Sequence, residues 1–177
     1  VLAETYMGLG LWEEAVESLS KLIEISPSTP EAYSERGNSY LALGRYQDAM
    51  EDYILATRLN PQNARTIVAK ARGYAGIKEF VKAQAEYEKA IRLEPETADA
   101  YRYRGLLSVQ LGDYQLALLD LNRAIEISPL DHESYSYRSQ AHSGLDGTFL
   151  ALKDLDQAIQ IAPLTTSYLY DRGLISF

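Results

Sequence analysis

The chain contains no cysteine. That one absence removes disulfides, thiolate nucleophiles and zinc–thiolate sites together. It leaves the compartment open, because a cysteine-free chain suits reducing and oxidising locations alike. Long apolar runs are missing as well, with nothing near the ~20 residues a membrane helix needs. The opening "VLAETYMGLGLWEEA" carries neither the basic leader nor the cleavage site of a signal peptide. The expectation is therefore no membrane insertion, with a cytoplasmic location favoured. Basic residues are in deficit: 17 Lys and Arg stand against 25 Asp and Glu, a formal charge of −8. An acidic surface repels phosphate backbones, so nucleic acid is not an expected partner.

Proline is scarce, at six residues, but it is not scattered. Pro27, Pro61, Pro95, Pro129 and Pro163 recur every 34 residues, and only Pro30 falls outside the series. The text around them recurs too: "LIEISP", "ATRLNP", "AIRLEP", "AIEISP", "AIQIAP". A fixed period of this size marks a solenoid of stacked repeats. Apolar content of 46% supports an ordered chain with a sizeable core.

Two residues beyond each proline stand Thr29, Asn63, Thr97, Asp131 and Thr165, all residue types that cap helix N-termini. Each proline thus closes one helix and each cap opens the next. Pro30 follows Thr29 at the first helical position, where its missing N–H costs nothing. Midway through each repeat, "MGLGLW", "LALGRY" and "VQLGDY" carry a turn glycine followed by an aromatic. Each repeat reads as a hairpin of two helices, A and B.

Numbering each repeat from the residue after its cap gives whole repeats at 30–63, 64–97, 98–131 and 132–165. A partial repeat over 1–29 precedes them, and helix A of another follows over 166–177. Helix A then turns inward at repeat positions 4, 8 and 11: Tyr33–Gly37–Tyr40, Ile67–Ala71–Tyr74, Tyr101–Gly105–Ser108 and Tyr135–Ser139–His142. Helix B does so at 20, 24 and 27: Ala49–Tyr53–Ala56, Ala83–Tyr87–Ala90, Ala117–Leu121–Ala124 and Ala151–Leu155–Ala158.

With a large residue at 4, small at 8, aromatic at 17, alanine at 20 and 27 and proline at 32, the chain resembles the tetratricopeptide repeat family over essentially its whole length. The resemblance implies an all-α fold: a single right-handed α-α superhelix of antiparallel helical hairpins. Some positions depart from the pattern. Lys78 stands at position 15 of the third repeat. In the fifth, "GLDGTF" places Gly147 one residue late and Thr148 where the aromatic belongs. Leu22 replaces an expected alanine.

A base precedes the glycine or small residue of each A helix at position 7: Arg36, Lys70, Arg104, Arg138 and Arg172. An acid stands sixteen residues later at position 23: Asp52, Glu86, Asp120 and Asp154. In a hairpin bending between them the two lie level, and they form structural ion pairs within each repeat. Leu2 and Ser18 occupy these places in the first repeat, so base and acid vanish together. The longer acid, Glu86, meets the lysine.

No chemistry stands out. Of the two histidines, His142 falls on a packing position, and the "DHE" of Asp131–His132–Glu133 opens a helix where capping accounts for the acids. The chain is expected to be no enzyme and to need no cofactor or metal. Family resemblance implies instead a non-catalytic interaction or scaffold module, gripping a peptide or partner helix on the inner, helix-A surface. The expected groove residues are Arg65, Val68, Arg72, Arg102, Tyr103, Leu106, Tyr137 and Gln140, which suit an acidic, apolar protein segment. The Lys–Asn…Asn…Lys–Arg set of family members that clamp chaperone tails is missing, with only Asn38 and a displaced base fitting. Alternatives are a targeting or substrate-recruiting arm of a larger enzyme, or an element that self-associates end to end. In this phase Val1 and Phe177 both lie inside an A helix, which suggests a piece of a longer array with exposed solenoid ends.

Overall fold

The computed structural model describes residues 2–175; Val1 and Phe177 lie outside them. Eleven helices follow one another among the described residues, with no strand. They are α1 (Leu2–Gly8), α2 (Trp12–Ile25), α3 (Pro30–Ala42), α4 (Tyr46–Leu59), α5 (Ala64–Gly76) and α6 (Phe80–Leu93), then α7 (Ala98–Leu111), α8 (Tyr114–Ile127), α9 (His132–Gly144), α10 (Thr148–Ile161) and α11 (Thr166–Ile175). Odd-numbered helices are the A helices and even-numbered ones the B helices. The chain forms two compact units, Val1–Pro95 and Glu96–Phe177. In each, consecutive helices pack on one another as hairpins, and each hairpin leans on the next within the unit.

Helices α3, α5, α7, α9 and α11 each begin one residue after the expected cap. Among Thr29, Asn63, Thr97 and Asp131, Asn63 alone uses its side chain for capping, accepting from the Thr66 N–H at 3.1 Å. Asp131 spends its carboxylate elsewhere, on Arg102 and Ser134. The caps are therefore right in place but mostly not in mechanism.

The turn inside each hairpin is a correction to expectation. Gly10, Gly44 and Gly112 take the left-handed conformation at position 15, and where glycine is absent Lys78 (φ 63°) and Asp146 (φ 59°) take it instead. Gly147 stays at negative φ and serves as the N-cap position of α10. The hairpin bend dictates the backbone at position 15, whichever residue stands there.

Positions 20, 24 and 27 are fully buried in every whole repeat, from Ala49, Tyr53 and Ala56 to Ala151, Leu155 and Ala158. Position 8 is glycine where the residue at 24 is close: a Cβ on Gly37 would stand 2.7 Å from Tyr53, and one on Gly105 2.7 Å from Leu121. Position 3, which the 4–8–11 stripe omits, is equally buried as Ala32, Thr66, Ala100 and Ser134. Its small residue type was the available signal. The aromatic at position 17 packs into the next repeat of the same unit, Tyr46 against Gly76 and Tyr114 against Gly144.

Candidate partner-binding surface on the A helices

The bases at position 7 of the four whole repeats are internal. Arg36 donates to Asp52 through Nε and Nη2, both at 2.8 Å. Arg104 holds Asp120 at 2.7 Å twice, and Arg138 holds Asp154 at 2.8 and 2.6 Å. This is the two-pronged geometry in which a guanidinium matches a carboxylate. Lys70 reaches Glu86 at 2.6 Å, but an ammonium offers no second prong, and Glu86 Oε2 is buried without a hydrogen-bond partner.

Arg36 and Arg138 do more than close their own hairpin. Arg36 Nη1 donates to Ser20 at 3.0 Å and Arg138 Nη1 to Asn122 at 2.8 Å, each on the preceding B helix. Arg172 likewise reaches back to Asp156 at 2.6 Å. Sequence reasoning found the forward pair and missed the backward one. Hydrogen bonding to Asp52 raises the pKa of Arg36, so the cation is held firmly.

On α5 of the first unit, Arg65 is exposed and Arg72 half-buried, whereas Val68, expected beside them in the groove, is only 4% exposed. Its neighbour Ala69 is buried too, against Met50 and Tyr53. An apolar side chain at position 5 turns into the helix–helix seam, so Val68 is a packing residue. Asn38, on α3, accepts from the core Tyr53 hydroxyl at 2.8 Å. Burial, followed by repulsion from Glu4, raises the pKa of Glu35.

In the second unit, Arg102 is not the open anchor expected of it. Its side chain is 12% exposed. Nη2 donates to Asp99 at 2.8 Å, Nη1 to Asp131 at 2.9 Å, and Nη1 also to Glu133. The guanidinium stacks over the Tyr103 ring, 4.6 Å from its centroid. Burial works to lower the Arg102 pKa, but Tyr103, Asp131, Glu133 and Asp99 outweigh it and the cation is reinforced. Three carboxylates around one guanidinium leave this spot negative. Tyr137 is half-buried, and burial with Glu133 close by pushes its hydroxyl up to about 12. Leu106 is half-buried and Gln140 exposed.

The "DHE" stretch is fully engaged. Asp131 and Glu133 hold Arg102, while His132 Nδ1 lies 2.7 Å from the Tyr168 hydroxyl. No cluster of three or more potential metal ligands occurs among the described residues. No described helix is long and apolar enough to cross a membrane.

The second unit also holds a cavity of about 480 Å³ between α9 and α11. Its walls are Val109, Tyr114, Leu155, Leu174 and Ile175, with the Ser136, Ser139 and Ser143 side of α9, Gln140, Gly144 and Asp171.

Comparison with known proteins agrees with this architecture. Tetratricopeptide repeat models match residues 69–142 and 30–63, and a TPR repeat model matches 3–44. No curated protein matches the chain. Among solved structures it is similar to TTC0263, a thermophilic TPR protein of Thermus thermophilus, with a TM-score of 0.90 at 19% identity over 98% of this chain and 95% of that one. MamA follows with a TM-score of 0.71 at 22% identity, covering 95% of this chain and 98% of its own. YrrB, described as a TPR protein with an unusual peptide-binding site, has a TM-score of 0.67 at 20% identity over 97% and 88%. At such identities the likeness speaks for the fold. With all-α hairpins in a 34-residue period and these matches, the chain belongs to the tetratricopeptide repeat family, whose members are generally protein-interaction modules.

Proposed function

We propose that this chain is a non-catalytic interaction module that takes a peptide or partner helix on the exposed side of its A helices. The observation that carries the reading is a division of labour among charges. The position-7 bases of the whole repeats are consumed by the fold, while Arg65 and Gln140 stand exposed, and Arg72, Tyr103, Leu106 and Tyr137 half-buried, on the A helices. Half-buried tyrosine with adjacent charge is the composition of protein-interface anchors. On α5, Arg65 and Arg72 suit carboxylates of an acidic, apolar segment, as an arginine fork does.

The test is panning of random phage-displayed heptapeptides on the immobilised chain. Native protein is compared with Arg65→Glu plus Gln140→Glu, and with a control changed on the B helices at Glu51→Arg plus Glu126→Arg. The helix-A changes are expected to alter the enriched motifs and the control to leave them as they are. Identical motifs from native and helix-A variant would discard the reading.

A further inference from the structure

The cavity between α9 and α11 is lined on its α9 side by serines. Position 12 is Val109 in the fourth repeat but Ser143 in the fifth, and position 5 is Arg102 in the fourth but Ser136 in the fifth. With Ser139 at position 8, three hydroxyl-bearing residues line this side of α9. The floor is Leu155, and Tyr114 closes one wall against Gly144.

Two features give the cavity a chemical preference. Ser143 Oγ is buried and has no hydrogen-bond partner among the described residues, an unfavourable state until a partner arrives. Asp171 is the one charged residue in the lining, and it makes no ion pair with a described residue. An apolar, hydroxyl-lined recess beside an unpaired carboxylate favours a cation at its mouth. At about 480 Å³ it holds more than one side chain.

Resting on the reading that the A helices receive a partner, we infer that this cavity is a side-chain pocket for a basic–apolar peptide. An aliphatic or aromatic side chain seats against Leu155 and Tyr114, and an adjacent lysine or arginine pairs with Asp171. The second unit thus selects the opposite charge to that suited by Arg65 and Arg72 in the first.

Random phage-displayed heptapeptides, panned on the intact chain and followed by fluorescence anisotropy of the enriched peptide, test this. Native protein should enrich an apolar residue next to Lys or Arg. Asp171→Lys, a change on the half-exposed face of α11, should abolish the basic preference and weaken the selected peptide by about tenfold. Ser143→Leu should fill the recess and remove the apolar preference, with a circular-dichroism melt showing that both variants fold. The pocket assignment is overturned if no basic–apolar motif is enriched, or if Asp171→Lys selects the native motif at native affinity. Should Asp171→Lys have no effect while Arg65→Glu plus Gln140→Glu changes the motifs, the pocket fails and the broader reading stands.

Discussion

Arg138 holds Asp154 through two parallel hydrogen bonds of 2.8 and 2.6 Å, while its remaining nitrogen donates to Asn122 at 2.8 Å. One guanidinium thereby ties helix A of its repeat to its own helix B and to the helix B before it. Arg36 repeats the arrangement with Asp52 and Ser20. The charge serves the register of the stack.

If so, removing one partner should cost more than removing both. Asp120→Ala leaves Arg104 without its carboxylate in a site where the acid is 11% exposed. A loss of about 3 kcal/mol is expected, reduced somewhat by the partial exposure of Arg104. The double variant Arg104→Leu plus Asp120→Ala should recover much of it. Urea denaturation of the three proteins measures the difference, and equal midpoints for single and double variants would contradict a coupled pair.

The left-handed residue at position 15 predicts a gain. Lys78 carries φ 63°, a conformation disfavoured for a residue with a Cβ. Lys78→Gly should therefore stabilise by about 1 kcal/mol. Asp146→Gly should gain less, because aspartate tolerates this region better. Thermal melts would show the ranking Lys78→Gly above Asp146→Gly above native.

Two helical glycines should respond to alanine with opposite signs. Alanine is ordinarily the better helix former by about 1 kcal/mol. At Gly173, where a Cβ meets nothing within 4 Å, that preference should show as a small stabilisation. At Gly144 the Cβ would stand 2.4 Å from the Tyr114 ring, so Gly144→Ala should destabilise by about 1–3 kcal/mol. Adding Tyr114→Leu to Gly144→Ala should relieve part of the loss.

Acid should weaken the fifth repeat through His142. Burial, the largest influence, lowers the His142 pKa; Asp154, with an oxygen 3.7 Å from Nε2, works to raise it, and Arg138 to lower it. A base with a depressed folded-state pKa binds its proton preferentially when unfolded. Its contribution is thus present above the unfolded value of ~6.5 and lost as the pH falls below it. Native protein should lose more melting temperature between pH 7 and pH 5.5 than His142→Gln, the other titrating groups being common to both. Parallel pH profiles would refute a role for His142.

Much was legible because it is written in local periodicity. The prolines gave the repeat length, the caps gave the helix starts, and small residues at 8, 20 and 27 gave the faces that meet. The sixteen-residue offset between base and acid placed Arg36, Arg104 and Arg138 opposite their partners, since two helices of known length and one bend leave little freedom in level. Such features depend only on spacing along the chain.

What depends on neighbouring helices was not legible. Val68 and Arg102 share position 5, yet Val68 turns into a seam and Arg102 is drawn into a carboxylate cluster assembled from its own helix and the start of α9. Lys78 and Asp146 adopt a glycine's backbone because the bend requires it. The recess beside Asp171 is lined by residues of five different helices, from Val109 on α7 to Ile175 on α11. The chain by itself determined the repeat, its hairpin and its internal pairing, since each follows from the order of residues over one period. Tertiary structure decided which side chains remain outside, because exposure is set by what the adjoining helices cover.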